Sequence, residues 1–157
     1  MIGLSIIAAL LFVVMLIVVI GKYGVPEMVS SIYYLLGKSG WVFQVVMMSV
    51  GMLMLMCLLD CEKGVQCLAF LACGGLMFVG AAPRFMNEDR GVHKAAAIVS
   101  AVASVGWCLT VDWKIVVALL GWYAVFWAYR SEDDHPWFMA EITAVWMVLL
   151  TYWNGVV

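Results

Sequence analysis

Long apolar segments alternate with short polar connections along the whole chain. A helix that crosses a membrane needs about 20 mostly apolar residues, and six segments approach or reach that length. They cover residues 2–20, 41–59, 65–82, 93–109, 115–129 and 136–153. Interfacial residues would complete the shortest crossings. The pattern therefore predicts an all-α membrane protein, a bundle of six transmembrane helices in a single domain over residues 1–157.

The polar connection after the first span has helical signals of its own. Pro26 suits the first turn of a helix, Glu27 complements the positive end of its dipole, and Gly37 can end it. Apolar residues recur between them at helical spacing, namely Met28, Ile32, Leu35 and Leu36. We expect a short helix in the membrane interface, acting either as an amphipathic spacer or as a lid over a lateral opening.

The composition agrees with a chain whose outer solvent is lipid. Hydrophobic residues make up 67% of the sequence and charged residues 11%, whereas soluble domains have about 45–50% apolar and about 25% charged residues. The net charge of −2 and the lack of a basic run argue against nucleic acid as a partner. Because no Lys or Arg precedes the first apolar segment, we expect a retained span rather than a cleaved signal peptide.

Basic residues are distributed unevenly between the two predicted sides. Lys63 and Lys114 lie on one side, and the connections after spans one, three and five carry Lys22, Lys38, Arg84, Arg90, Lys94 and Arg130. Basic loops remain in the cytoplasm. We therefore expect those three connections to be cytoplasmic and both termini to be extracytoplasmic.

Several residue types favour helix packing. Small residues let helix backbones approach closely in lipid, and they recur in spans three and four at Ala69, Ala72, Gly74, Gly75, Gly80, Ala96, Ser100 and Ser104. We expect these two spans to be the inner pair. Trp122 and Trp127, deep in the fifth span, are expected to pack between helices.

Five cysteines and a methionine-rich second span have two interpretations each. The cysteines are an odd number without a C-x-x-C pattern, so small apolar packing residues are expected, with a Cys61–Cys67 bridge as the alternative. The methionines of the second span keep no single helical face and have no neighbouring His. They indicate flexible packing rather than copper binding.

Both histidines fall on the predicted cytoplasmic side, His93 at the start of span four and His135 just before span six. Glu141 is the acid placed clearly within a predicted span, where an ionisable residue indicates a functional site. His93, His135 and Glu141 are therefore the candidate catalytic residues. With Asp134 they also form a candidate metal-ligand set. A solvated polar face with helix caps is the alternative interpretation.

Other polar residues on this side are candidates for ligand binding. Arg84 with His93 and two helix N-termini would favour an anion or a proton site. Tyr33, Tyr34 and Gln44 lie near the same face, and Gln44 is a plausible hydrogen-bond partner for Glu141. No cofactor motif is present, and no cofactor is expected.

The order of several features resembles an uncharacterised family of bacterial six-span membrane proteins. The residues that carry the resemblance are Pro26, Ser31, Tyr33, Tyr34, Phe43, Pro83 and His93, within the first two-thirds of the chain. It implies a bacterial inner-membrane location but no particular activity. A fainter likeness is to the ceramidase and adiponectin-receptor type of membrane hydrolase. Those enzymes bind zinc through three His, whereas this chain has two.

The leading functional hypothesis is a small polytopic membrane protein without catalytic activity. It would bind a lipid-like or small ligand, or a partner protein, among the membrane lipids. The alternative is a membrane-embedded hydrolase with His93, His135 and Glu141 at the cytoplasmic interface. A small transporter or channel is the third hypothesis, although carriers usually place several ionisable groups at mid-depth beside broken helices.

Overall fold

The computed structural model describes residues 1–81, 90–131 and 134–156, and the regular elements in these ranges are all helical. Helix α1 spans Ile2–Tyr23. A short helical stretch follows, with a 3₁₀ turn at Val29–Ser31, helix α2 at Ile32–Leu35 and a second 3₁₀ turn at Gly37–Ser39. The longer elements are then α3 at Gly40–Asp60, α4 at Gln66–Ala81, α5 at Arg90–Tyr129 and α6 at Pro136–Val156. The predicted all-α class is confirmed.

The short helical stretch begins later than the sequence suggested. Met28 has an extended backbone (φ −146°, ψ 153°), so Pro26 and Glu27 precede the helical residues instead of starting them. The Ser31 hydroxyl and backbone N–H both donate to the carbonyl oxygen of Met28, at 2.7 and 3.1 Å. These bonds close the 3₁₀ turn from which α2 continues.

The fourth and fifth predicted spans form one element, α5, with a single non-helical residue inside it. Asp112 has φ −152° and ψ 92°, in place of the predicted connection over residues 110–114. Its carboxylate accepts a hydrogen bond from the backbone N–H of Lys114 at 3.0 Å. An Asp side chain that accepts from the second helical N–H is an N-cap, so Asp112 restarts the helix at once.

The two arms of α5, residues 90–111 and 113–129, pack on different neighbours. The Ser100 hydroxyl of the first arm donates to the carbonyl oxygen of Ala72 in α4, at 2.7 Å. The Tyr123 hydroxyl of the second arm donates to the carbonyl oxygen of Pro136, where α6 begins, at 3.0 Å. Residues 115–119 lie beside residues 150–154, near the end of α6. The second arm therefore turns back and runs antiparallel to α6.

Outward-facing apolar side chains indicate the medium around the bundle. Ile17, Phe78 and Val102 are 65%, 63% and 67% exposed, and large apolar patches on a surface mark contact with a membrane or a partner. Three helical segments are long and apolar enough to cross a membrane, Ile2–Tyr23, Gly37–Asp60 and Gly91–Tyr129, and the last of these includes both arms of α5. Helix α4 is apolar but its described part is shorter, and α6, the predicted sixth span, is not among the three. The six-span arrangement is therefore not confirmed. These features support the predicted membrane-protein character.

The expected positions of two tryptophans are wrong. Trp122 and Trp127 are 49% and 44% exposed on the second arm of α5 rather than packed between helices. This arm has one broad packing partner, α6, so much of its circumference faces outward. The Trp122 ring stacks on Phe126, and the Arg130 guanidinium lies 3.5 Å from the ring centroid of Trp127. The rings are thus ordered by neighbours on the same arm.

Helices α4 and α5 approach closely through the small residues that predicted their pairing. A Cβ placed on Gly75 would lie 2.7 Å from the Ser100 Cβ and 3.0 Å from the carbonyl oxygen of Ala96. Gly75 therefore touches the backbone of α5. Gly74 differs, because a Cβ there would have no neighbour within 4 Å. The predicted pairing of these two helices is confirmed at Gly75. The predicted inner position of the pair is wrong for α5, because Ile98 and Val102 are 63% and 67% exposed.

This pair of adjacent glycines provides a matched test of the α4–α5 contact. We expect Gly75→Ala to destabilise the protein by about 1–3 kcal/mol, because the added methyl group would force two helix backbones apart. Gly74→Ala should leave stability unchanged or raise it by up to about 1 kcal/mol through helix propensity. Thermal unfolding in detergent, followed by near-UV circular dichroism, measures both. Equal unfolding midpoints would contradict the close contact.

Candidate functional site

A central cavity lies between the long helices. Its volume is about 130 Å³, and side chains from α1, α3, α4, the first arm of α5 and α6 line it. The apolar part of the lining is made of Ala8, Phe12, Val29, Met47, Val50, Met54, Ala72, Leu76, Val79, Ala97, Ala101, Ala144, Val145, Val148 and Leu149. Along α6 the lining runs from residue 141 to residue 149, a length of about 12 Å at the rise of an α-helix.

A carboxylate lies at one end of this cavity. Glu141 of α6 accepts a hydrogen bond from the backbone N–H of Val29, and the backbone N–H of Ser30 also bonds to it. Bonds from backbone N–H groups to a carboxylate are among the stronger hydrogen bonds in proteins. They satisfy a carboxylate that would otherwise be costly beside an apolar cavity. Glu141 therefore joins α6 to the connection between α1 and α3.

The connection between α1 and α3 closes this end of the cavity. Val29 and Ile32 are 4% and 0% exposed, so the 3₁₀ turn and α2 are packed into the bundle. Val29 and Ser30 both contribute to the cavity lining. The connection therefore covers an internal space, which differs from both roles considered from the sequence, a peripheral spacer and a lid over a lateral opening.

The cavity also reaches the outer surface beside the first arm of α5. Ala101 lines the cavity and is at the same time exposed, while Ala97 and Ala144 line it and are half-buried. The wall of the cavity is therefore thinnest at these three small side chains, where it is also accessible from outside. We call this part of the wall the lateral opening.

Polar groups are few along the rest of the lining. The Ser100 hydroxyl donates to the Ala72 carbonyl oxygen of α4, as Ser side chains do between packed membrane helices. Ser104 is buried, and Cys73 is a buried free thiol. The cavity thus combines a carboxylate at one end with a largely apolar interior.

The histidine candidates lie at helix ends near the same end of the bundle. His93 is half-buried in the first turns of α5, and its buried Nδ1 has no hydrogen-bond partner among the described residues. His135 is half-buried, and its carbonyl oxygen accepts from the N–H of Met139 at 3.1 Å, so it caps α6. The Asp134 carboxylate accepts from the backbone N–H of Ser131 at 2.6 Å.

These candidates do not form a shared metal-ligand set in the described part of the chain. No group of three or more His, Cys, Asp and Glu side chains within residues 1–81, 90–131 and 134–156 could hold a metal ion together. His93, Asp134, His135 and Glu141 all lie within these ranges. The carboxylate of Glu141 is directed instead to the backbone of Val29.

The ligand-binding candidates are dispersed. Tyr33 and Tyr34 form an edge-to-face pair with ring centroids 5.3 Å apart, and the Tyr33 ring lies against Gly40. The Gln44 side-chain amide donates to the carbonyl oxygen of Ala81 at 3.5 Å. The expected Gln44–Glu141 partnership is therefore wrong, because each side chain bonds to the main chain of another helix or turn. Arg84 and Pro83 lie outside the described residues.

The opposite end of the bundle is closed by bonds between helix termini. The Trp107 indole N–H donates to the carbonyl oxygen of Lys63 at 3.1 Å, and the Lys63 ammonium contacts the carbonyl oxygen of Gly155. The Asn154 amide donates to the Asp112 carboxylate at 2.6 Å. All five cysteines are free thiols, so the alternative of a Cys61–Cys67 bridge is wrong.

Sequence reasoning found Glu141 but missed the cavity beside it. The signal was present in the alanine positions of α5 and α6, because Ala97, Ala101 and Ala144 leave space where larger residues would fill it. In a sequence, however, small residues indicate close packing and open space equally well. The spatial arrangement was needed to distinguish them.

Fold and site together define an all-helical protein of membrane character with an internal apolar cavity. Comparisons of the chain with protein-family models, with curated proteins and with solved structures give no match. The function is therefore argued from the cavity and its carboxylate.

Glu141 can be tested as the residue that holds the cover in place. We expect Glu141→Ala to destabilise the protein by about 1–3 kcal/mol, because buried backbone N–H groups would lose their acceptor. Glu141→Gln should have a smaller effect, since its amide oxygen can still accept. Glu27→Ala is the matched control, since Glu27 is an exposed acid on the same connection. If Glu141→Ala and Glu27→Ala unfold at the same temperature, Glu141 does not hold the turn.

Proposed function

We propose that this protein is a six-span membrane protein that binds a small apolar or lipid-like molecule in its central cavity, without catalysing a reaction on it. The observation that carries the proposal is the cavity itself, which every long helix helps to line and which has a carboxylate at one end. Binding sites for small molecules are typically concave and apolar with a few well-placed polar groups.

The size of the cavity supports a small ligand or a short part of a larger one. An apolar cavity of about 150 Å³ is known to accept benzene, and this one measures about 130 Å³. A group of about six carbon atoms is therefore the expected occupant. A longer chain would extend through the lateral opening at Ala97, Ala101 and Ala144.

The environment of Glu141 supports binding rather than hydrolysis. A general base must reach the proton it removes, and a metal site needs several converging ligands. Glu141 is engaged by the main chain of Val29 and Ser30. No described observation favours the hydrolase or the transporter over the binding protein.

The proposed orientation has the Glu141 end of the bundle in the cytoplasm and both termini outside. It is supported by the excess of Lys and Arg in the connections after the first, third and fifth spans. In this arrangement, the connection that covers the cavity faces the cytoplasm. The proposed setting is the inner membrane of a bacterium.

Two neighbouring alanines of α6 allow a test of cavity binding. Ala144 lines the cavity, whereas Ala140, one turn earlier and also half-buried, does not. The probe is hexanol carrying a photoreactive diazirine, applied to the full chain in nanodiscs, with crosslinks mapped by peptide mass spectrometry. We expect saturable crosslinks at Val145 and Val148 in the wild type.

The leucine variants distinguish the cavity from the lipid surface. Ala144→Leu should weaken saturable labelling about tenfold or more, equivalent to about 1.4 kcal/mol, because the larger side chain occupies the cavity. Ala140→Leu should label like the wild type. Crosslinks confined to outward-facing residues, or equal labelling of both variants, would overturn the binding proposal.

Orientation can be measured with a thiol of the chain itself. Cys67 is exposed near the end of the bundle assigned to the outside, and Ser131 is exposed near the other end. The other four cysteines are replaced by Ala, and Ser131→Cys is made in a chain that also lacks Cys67. We expect a membrane-impermeant maleimide to label Cys67 in intact cells and Ser131→Cys only after permeabilisation. The reverse pattern would invert the topology.

A further inference from the structure

We infer that the ligand of the central cavity is an alkyl molecule whose polar end donates hydrogen bonds and carries no negative charge, such as a primary alcohol or amine. This inference rests on the proposed function, since it names the chemical class that the same cavity would select. The inferred ligand class follows from the distribution of polar and apolar residues along the cavity lining.

The carboxylate end of the cavity sets the preference for a hydrogen-bond donor. Two backbone N–H groups donate to Glu141. Hydrogen bonds of this kind favour the ionised carboxylate, which can only accept them. Among the described residues, no Lys, Arg or His lines the cavity. A ligand head placed here therefore meets the carboxylate with no cation among the described lining residues.

An anionic head would be rejected for the same reason. Like charges brought together in a site of low polarity repel strongly, and such repulsion is a common source of selectivity. A fatty acid would bring its carboxylate towards that of Glu141. An alcohol of the same length would instead donate its O–H to the carboxylate, and an amine would add charge attraction.

The position of the opening fits a molecule that enters from the membrane. Glu141 lies five residues into α6, about 8 Å from the start of the helix at Pro136. Ala97 and Ala101 mark the lateral opening further along the bundle. An alkyl chain can thus extend through the opening towards lipid while its polar end stays beside Glu141.

The interior beyond Glu141 is largely apolar and disfavours a second polar group in most of the ligand. Beyond Glu141, the lining on α6 consists of Ala144, Val145, Val148 and Leu149. The Ser100 hydroxyl on the facing helix is already bonded to the Ala72 carbonyl oxygen. Ser104 and Cys73 are the other polar side chains of this part of the lining. Away from them a buried polar group would have no partner, which is costly, so molecules with one polar end are favoured.

Competition between ligands of one length but different heads tests the inference. The full chain in nanodiscs is labelled with the diazirine-bearing hexanol, and hexanol, hexylamine or hexanoate is added as competitor at pH 7.5. We expect hexanol and hexylamine to reduce labelling of Val145 and Val148 at concentrations at least about tenfold below those needed for hexanoate. Direct partition of each competitor into protein-free nanodiscs corrects for its concentration in the membrane.

The variant Glu141→Gln identifies the source of the selectivity. It replaces the carboxylate with a neutral amide that can also donate, so the difference between hexanol and hexanoate should fall to about threefold or less. Glu27→Gln, on the same connection but exposed, should keep the wild-type difference. These two variants are compared only when both retain saturable labelling.

The outcomes separate this inference from the proposed function. If labelling of the cavity residues is absent in the wild type, the binding function itself fails. If the cavity is labelled but hexanoate competes as well as hexanol, the function stands and the inferred ligand class is wrong. An undiminished preference in Glu141→Gln would likewise overturn the role given to the carboxylate.

Discussion

The arrangement of this bundle depends on the hydrogen bonds that one carboxylate, that of Glu141, accepts. A carboxylate that lines an apolar cavity is costly without hydrogen-bond donors, and the donors to Glu141 are the main-chain N–H groups of Val29 and Ser30. That requirement draws the connection between α1 and α3 into the bundle, where Val29 and Ile32 become buried. A connection of this length would otherwise be expected on the surface. The same bonds that satisfy the acid therefore close one end of the central cavity.

Small residues have two opposite consequences in the same pair of helices. At Gly75 the absence of a side chain lets α4 reach the backbone of α5 at Ser100. At Ala97 and Ala101, on another part of the α5 surface, small side chains leave the space that forms the cavity wall and its opening. Lipid removes the hydrophobic drive that would close such a space in a soluble core, so packing contacts hold these helices together. Close contact and open volume can thus occur side by side.

The sequence predicted the helices better than their arrangement. The lengths of the apolar segments and the polar residues between them located α3 and α4 to within a residue or two, because both can be read directly from the order of residues. The length of the connection over residues 110–114 was overestimated, because Asp112 is the single non-helical residue there and its side chain caps the helix that follows. Trp122 and Trp127 were misplaced because their exposure depends on how many helices surround the second arm of α5. Gln44 was paired with the wrong group because its acceptor is the main-chain carbonyl oxygen of Ala81. A sequence pattern of side chains does not show which main-chain groups at helix ends accept hydrogen bonds.

The two ends of the bundle are held by different chemistry, and this limits how the cavity can be reached. At one end, side chains of Trp107 and Asn154 bond to residues beyond their own helices, and these bonds tie several helix ends together. At the other, one acidic side chain holds a short turn through its main chain. Opening the first end would break bonds from several elements at once, whereas the lateral opening needs no bond to be broken. Access from the side is consequently the route that costs least for the proposed ligand, and it leads into the same cavity that Glu141 lines.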